Sequence, residues 1–499
     1  MNKTTNRLIA SINSSYVNLK QEILILFSIL VLFLLVNLTT YTRFPIVWLD
    51  EGMFTDPAAN LYLGHGFKSS IWHSQNMNEF WAGYPPLYAI LLYGWMRLFG
   101  FSLPSVRSLN YILIVAAVTI IWLAVTRLSL VTSTMSRISL VLIILLGYGV
   151  SLNYRSGRVD CTNILVTSLA FLAYSIVSVR LRLILLACIG VFFPLSGLQT
   201  LPYTVILCCL LLIFLGKSFL KEAVSLGIGI VIGIACLYIF YSSHGVWDGF
   251  VASVRRHSAY GVQAAAGGFD SLMAMLQGAS FTRDPSFVSL FIASVLLIIY
   301  QIKIGSFKLR SPITFGLVAS ICTTIGVFAV GKFPTYYSWM AYIPLAITTF
   351  SAFSRIKLNL NNLLQRLFVI FIIITCLCGW TLQTVLAVST WSYRDHTKVE
   401  EFVNKNIKSS DWVYFDESAY YPLRKKAAAI FNKEYLRIMS PEEKQQVSAL
   451  VINPDDLDKV TKQLGGEWIG SSDILNPHKV NDRLFSDTYK LQVWRRKQI

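Results

Sequence analysis

The sequence predicts a polytopic α-helical membrane protein, about eleven transmembrane helices with juxtamembrane helices in the first outer loop, followed by a small C-terminal α/β extracytoplasmic domain. Three observations predict it. Hydrophobic residues make up 55% of the 499 positions and charged residues 14%, whereas a soluble globular chain carries about a quarter charged residues. Mean hydropathy is +0.57. Apolar residues gather into runs of membrane-crossing length, and beyond Trp391 the chain turns charged.

The first run, Glu22 to Thr40, is nearly unbroken Leu, Ile, Val and Phe, long enough to cross roughly 30 Å of hydrocarbon as a helix. No Ala-x-Ala-like cleavage site follows, so it reads as an uncleaved signal anchor. Further spans are predicted near 104–126, 138–153, 161–179, 183–199, 201–216, 223–242, 286–302, 312–330, 335–353 and 367–390. The segment Pro85 to Phe99, opened by two prolines and interrupted by Gly94 and Arg97, is short for a crossing and suits the interface.

Basic residues set the orientation, because short cytoplasmic loops are enriched in Lys and Arg. If 85–99 does not cross, Lys3, Arg7, Lys20, Arg127, Arg137, Arg180, Arg182, Lys217, Lys221, Lys303, Lys308, Arg310, Arg355, Lys357 and Arg366 all fall on one side. That gives eleven crossings with a cytoplasmic N-terminus (1–21), a membrane catalytic region (22–390, its first outer loop 41–103) and an extracytoplasmic C-terminal domain (391–499). The formal charge of +17 is no nucleic-acid footprint: residues from Trp391 onward carry a net of only +2, which leaves +15 as a topology signal. All eight cysteines lie in or beside apolar runs without zinc-site spacing and read as buried free thiols.

The outer face then receives the loop from Tyr41 to Tyr84, Tyr154 to Asp160, Ser243 to Pro285, the turn Gly331 to Tyr337 and the C-terminal region. The acidic pair Asp50-Glu51 stands out there. Thr55-Asp56-Pro57 reads as a helix start and Gly64-His65-Gly66 as its stop, which puts the pair just upstream of a short helix. Trp48, Phe54, Tyr62, Trp72, Phe80, Trp81 and Tyr84 surround it with aromatics of the kind that line an interfacial cleft or a membrane boundary.

The series Leu49-Asp50-Glu51-Gly52-Met53-Phe54, Ala58-Ala59-Asn60-Leu61, Gly64-His65-Gly66-Phe67, Tyr84-Pro85-Pro86-Leu87-Tyr88, Leu98-Phe99-Gly100, Arg107 and Arg158-Val159-Asp160 resembles the polyprenyl-phosphate-sugar glycosyltransferases of the C-type superfold (GT-C), over residues 20–350. This group includes the protein O-mannosyltransferases and the lipid A aminoarabinose transferase. The resemblance implies an enzyme that takes a sugar from a lipid-monophosphate carrier at the outer leaflet, with Asp50 catalytic. The chain departs from the aminoarabinose type in one place: Gly83-Tyr84 replaces a Glu-Lys before the prolines, so neither role transfers, and Glu79 is the nearest substitute acid.

The chemistry of the residues agrees with this resemblance. A positioned carboxylate can take the proton of an attacking hydroxyl, and Asp50, with Glu51 beside it and Asp160, supplies the candidate catalytic acids. Direct displacement predicts inversion. The lipid phosphate leaving group needs cations, for which Arg158, Arg255, Arg256 and Lys332 are candidates. Each can equally be an interfacial cation facing lipid headgroups. Asp160 is as well suited to orient Arg158 as to act directly. Tyr84, Glu79, Tyr336 and Tyr337 are candidates for the substrate pocket.

No essential metal is expected, since Asp50, Glu51, Asp56, Glu79, His65 and His73 match no compact ligand spacing and Asp456-Leu457-Asp458 reads as a helix start. Beyond Trp391 helices are expected at Val399–Ile407, Tyr420–Ile430 and Asp455–Leu464, and strands at Trp412–Phe415, Ala449–Ile452 and Leu491–Trp494. A rigid cap over the outer opening suits this region better than independent catalysis.

The expected partners are the bilayer, a polyprenyl-phosphate sugar donor and a glycan, lipid or protein acceptor, with no nucleic acid. A bacterial plasma membrane is favoured over the endoplasmic reticulum. A transporter or flippase of lipid-linked saccharides, or a noncatalytic envelope-assembly subunit, is the alternative reading.

Overall fold

The computed structural model describes residues 3–72, 75–263, 283–329, 335–476 and 488–497. The helices up to residue 426 are, in chain order, α1 (Lys3–Thr40), α2 (Leu49–Tyr62), α3 (Leu87–Phe99), α4 (Leu103–Arg127), α5 (Thr134–Leu146), α6 (Tyr148–Arg155), α7 (Asp160–Tyr174), α8 (Val179–Ser196), α9 (Thr200–Leu215), α10 (Leu220–Ser242) and α11 (Trp247–Gln263). They continue as α12 (Pro285–Lys303), α13 (Pro312–Ala329), α14 (Trp339–Phe353), α15 (Leu363–Cys376), α16 (Leu382–Val388), α17 (His396–Asn406) and α18 (Tyr420–Lys426).

Six apolar stretches among the described residues are long enough to cross a membrane, or seven if the bent pair α5–α6 is one span. Leu87–Phe99, Asp160–Tyr174 and Pro312–Gly326 are shorter apolar helices. The chain is an integral membrane protein. Its apolar helix faces stay exposed, with Leu24, Phe27 and Leu32 on α1 and Val231 and Ile239 on α10, as expected where the solvent is hydrocarbon. The span expected near 138–153 is built of two helices bent by 60°. The break falls at Gly147, the residue that caps α5 and opens α6.

Close helix approach comes from small residues. A Cβ on Gly229 would stand 2.0 Å from the Ala187 carbonyl oxygen, and one on Gly233 would stand 2.2 Å from that of Val191. Thus α10 and α8 pack backbone on backbone, as small residues four apart allow.

After the helices comes a five-stranded mixed sheet in the order β2-β1-β3-β5-β4, with β1 (Trp412–Phe415), β2 (Ala429–Phe431) and β3 (Ala449–Ile452) parallel and β4 (Trp468–Leu475) and β5 (Leu491–Arg496) antiparallel. Strand alternation splits its faces. Val413, Phe415, Val451 and Leu491 join the same core as Met53 and Leu103 of the bundle, while Tyr414, Leu450, Ile452 and Trp494 form a second core on the other side. The expected helix from Tyr420 to Ile430 ends at Lys426, and β2 takes up its last residues; β4 was not anticipated. Neither strand shows the alternation that marks a strand locally: β2 is buried throughout, and β4 mixes half-buried and exposed positions with none buried.

The first loop differs from its sequence reading. Helix α2 begins at Leu49, with Pro57 inside it, so Asp50 and Glu51 lie in its first turn instead of upstream. Acids favour that end of a helix. Asp56 does not start the helix because it is otherwise engaged: it accepts from Ser69 Oγ at 2.8 Å, the Ser70 amide at 3.1 Å and Tyr420 OH at 3.1 Å, and pairs with Arg424 at 2.7 Å. Glu51 receives Arg107 in two parallel bonds of 2.8 and 2.7 Å, and Tyr421 OH at 3.1 Å. Neither member of the Arg107–Glu51 pair has any side-chain exposure. Breaking such a pair from one side leaves a bare buried charge, which costs about 3–5 kcal/mol. Arg107→Ala should therefore lower the thermal midpoint in detergent sharply or prevent folding, and Arg107→Gln with Glu51→Gln should recover part of the loss.

Candidate active site

Between α6 and α7 the chain makes a tight turn through Ser156, Gly157, Arg158 and Val159. Gly157 has φ of 58°, a left-handed conformation suited to glycine, and a Cβ there would stand 3.0 Å from both Glu51 Cγ and Val106 Cγ1. Its carbonyl accepts from Tyr88 OH at 2.7 Å. This turn places Arg158 and Asp160 beside the first turn of α2.

Arg158 is the hub of the site. Its guanidinium pairs with Asp50 Oδ2, bonds Asp160 Oδ2 at 3.0 and 3.2 Å, and donates to Asn153 Oδ1 at 3.0 Å. Its Cζ stands 3.4 Å from the ring centroid of Tyr336, with Trp48 and Phe54 farther round it. Burial opposes the Arg158 charge, but Tyr336, Asp160 and Asp50 outweigh it and hold its pKa well above the ordinary value. Burial also raises the Tyr336 hydroxyl well above the usual tyrosine range, with Asp50 adding to the effect.

From Asp160 the network continues. Its Oδ1 accepts from Gln199 Nε2 at 3.3 Å and from Trp339 Nε1 at 3.2 Å, while Gln199 Oε1 accepts from Tyr84 OH. Tyr84, Gln199, Asp160, Arg158 and Asp50 thus form one hydrogen-bonded line. Asp160 and Arg158 are closed to solvent, with side-chain exposures of 0% and 1%, whereas Asp50 keeps 25%. Asp50 is the end of the line that an incoming group can touch.

The sequence candidates divide accordingly. Asp50, Arg158, Asp160, Tyr84, Tyr336 and Tyr337 are brought together, with the Tyr337 ring centroid 5.9 Å from Arg158 Cζ. Glu51 is not free for chemistry, being taken up by Arg107 and Tyr421. Glu79 is exposed in the loop after Met77, and Arg255 and Arg256 are exposed on α11. That helix is docked on the first loop through Ser253, which donates to the Gly83 carbonyl at 2.9 Å and accepts from Trp72 Nε1 at 3.3 Å. Lys332 and His73 lie outside the described residues. Arg155 has a structural place, donating to Asn37 Oδ1 at 2.7 Å and to the Phe44 carbonyl. Among the described residues no three His, Cys, Asp or Glu side chains are grouped as a metal site would need.

Gln199, Trp339, Asn153 and Asp284 escaped the sequence reading. A glutamine between two apolar spans was the available signal for Gln199, and Asp-Pro at a helix start was the signal for Asp284. Buried Asp284 caps α12 through the Phe287 amide at 2.9 Å, accepts from the Gly149 amide at 3.2 Å and receives Ser338 Oγ. It thereby ties the α5–α6 break to the turn that carries Tyr336.

No family model matches the sequence, and no curated protein matches it. Solved structures do. The crystal structure of ArnT from Cupriavidus metallidurans bound to undecaprenyl phosphate aligns at a TM-score of 0.60 and 12% identity, covering 95% of this chain and 97% of that one. Its apo state aligns at 0.59 and 11% over the same shares. The chain has the GT-C fold. The likeness runs well past residue 350, the limit of the sequence resemblance, and takes in the C-terminal sheet.

Burial raises the Asp284 carboxyl from 3.8 to about 6 despite its hydrogen bonds. With the folded value above the unfolded one, the native state binds the extra proton between these values, so this contribution to stability is present at low pH and lost as pH rises through about 6. Thermal midpoints of wild type and Asp284→Asn, measured from pH 4 to 8, should show their difference moving in favour of the variant across that window. A constant difference would refute the assignment.

Proposed function

We propose that the protein is an inverting glycosyltransferase that moves a sugar from a polyprenyl-phosphate carrier to a hydroxyl-bearing glycan, lipid or protein acceptor, with Asp50 as general base. The observation that carries this reading is the single partly exposed carboxylate at the end of an otherwise closed carboxylate–guanidinium line. Arg158 holds Asp50 in place; a hydroxyl hydrogen-bonded to Asp50 loses its proton as it attacks the anomeric carbon. The fold is shared with ArnT, whose crystal structure holds undecaprenyl phosphate, and this supports a lipid monophosphate as the leaving group.

Because Arg158 is saturated by Asp50, Asp160 and Asn153, its role is to hold the base, and the exposed Arg255 and Arg256 are better placed to meet the carrier phosphate. Lys332 is the further candidate. Tyr84, Tyr336 and Tyr337 would line the sugar subsite. Glu51 is assigned to structure.

On this reading α1, α4, the α5–α6 pair, α7, α8, α9, α10, α12, α13, α14 and the α15–α16 pair make eleven crossings. The N-terminus is then cytoplasmic and the site with its sheet is extracytoplasmic. Transfer should be assayed with purified protein and a panel of short-chain polyprenyl-phosphate sugars, scoring released lipid phosphate. One donor should be cleaved by the wild type, Asp50→Asn should lose roughly 10²-fold or more, and Arg158→Lys should lose rate because lysine cannot bridge both carboxylates. Equal turnover by Asp50→Asn would refute the base assignment. Arg255→Ala with Arg256→Ala should raise the KM for donor more than it lowers kcat.

A further inference from the structure

A cavity of about 480 Å³ lies within the bundle, beneath the site. It runs along α14 from Trp339 to Ser351 and along α9 from Tyr203 to Leu215, about 18 Å on either helix at ~1.5 Å per residue. Its walls are mainly apolar, from α7, α8, α9, α13 and α14. That size and lining fall in the class of small-molecule sites, roughly 300–1,000 Å³ with a few placed polar groups.

The two charged residues on the wall are Glu222 and Arg310, and they stand with Tyr174, Leu215 and Ser351 at helix ends remote from the Arg158 cluster. Glu222 is 4% exposed. Its Oε1 pairs with Arg182 at 2.8 Å, but its Oε2 has no hydrogen-bond partner. A buried carboxylate oxygen without a donor is costly, and here it borders open volume. A ligand that supplies the donor would remove that cost.

We propose that this end of the cavity binds a phospholipid with a primary-amine headgroup, phosphatidylethanolamine, with its ammonium on Glu222 Oε2, its phosphate on Arg310 and an acyl chain in the cavity. An ammonium brings both charge and several N–H donors to the carboxylate. The headgroup is zwitterionic and matches the paired signs of Glu222 and Arg310. A prenyl chain offers no donor and would leave Glu222 as it is; the hydroxyl of phosphatidylglycerol would supply a weaker, uncharged one. Under the orientation proposed above, the lipid comes from the cytoplasmic leaflet and its chain points toward Trp339. The proposal does not depend on the glycosyltransferase reading.

The test is native mass spectrometry of delipidated full-length protein in detergent, titrated separately with dioleoyl phosphatidylethanolamine, dioleoyl phosphatidylglycerol and undecaprenyl phosphate. Phosphatidylethanolamine should bind at least about tenfold more tightly than phosphatidylglycerol, and Glu222→Gln should cut that preference roughly tenfold. Ile347→Trp, which fills the cavity from its wall, should expel phosphatidylethanolamine in a protein of unchanged thermal midpoint. Equal binding of the two phospholipids, no effect of either variant, or occupancy of the cavity by undecaprenyl phosphate alone would each overturn the proposal.

Discussion

Helix α2 carries three carboxylates within seven residues, Asp50, Glu51 and Asp56, and each is taken by an arginine from a different part of the chain. Arg158 comes from the turn before α7, Arg107 from α4 and Arg424 from α18 beside the sheet. A charge withdrawn from water must be paired or it destabilises the fold by several kcal/mol, so these three pairings leave α2 one permitted position. The bundle, the inter-helix turn and the C-terminal sheet meet there because of them. Everything that surrounds Asp50 inherits its geometry from that requirement.

The three pairs differ in one respect that separates structure from chemistry. Glu51 and Asp56 are closed off and their oxygens are fully supplied with donors, two from Arg107 and one from Tyr421 in the first case, and a set from the loop and α18 in the second. Asp50 retains exposed surface. A carboxylate anchored by a buried arginine and open on its other side keeps a fixed orientation while one side stays free to accept a hydrogen bond. The same separation explains why the C-terminal sheet belongs to the site without lining it: through Tyr420, Tyr421 and Arg424 it holds the helix that presents Asp50.

Much of the architecture was legible in the sequence. Membrane spans are set by the length and hydropathy of local runs, and every run read as a span coincides with a helix or a helix pair. Asp50 was legible as an unusual acid in the loop after the first apolar run, and Arg158 and Asp160 as polar residues at the end of another. The roles of neighbours were not. Nothing local distinguishes Asp50 from Glu51, since both are acids in one helical turn, and they separate only because Arg107 sits on one side and Arg158 on the other. Pro57 suggested a helix start, but the start moved upstream once Asp56 was claimed by side chains more than three hundred residues away. Gln199 and Trp339 carry no motif; they matter because α9 and α14 bring their polar ends to Asp160.

That the chain lives in a membrane, roughly where its helices run, and that acids and arginines collect between them can be read from short windows, because hydrophobicity and charge are local properties. Which acid meets which arginine, which of them stays open to solvent, and that α5 and α6 bend at Gly147 emerge from the packed fold. Those outcomes depend on pairing buried charges between segments distant in sequence, and pairing is a property of the packed chain as a whole.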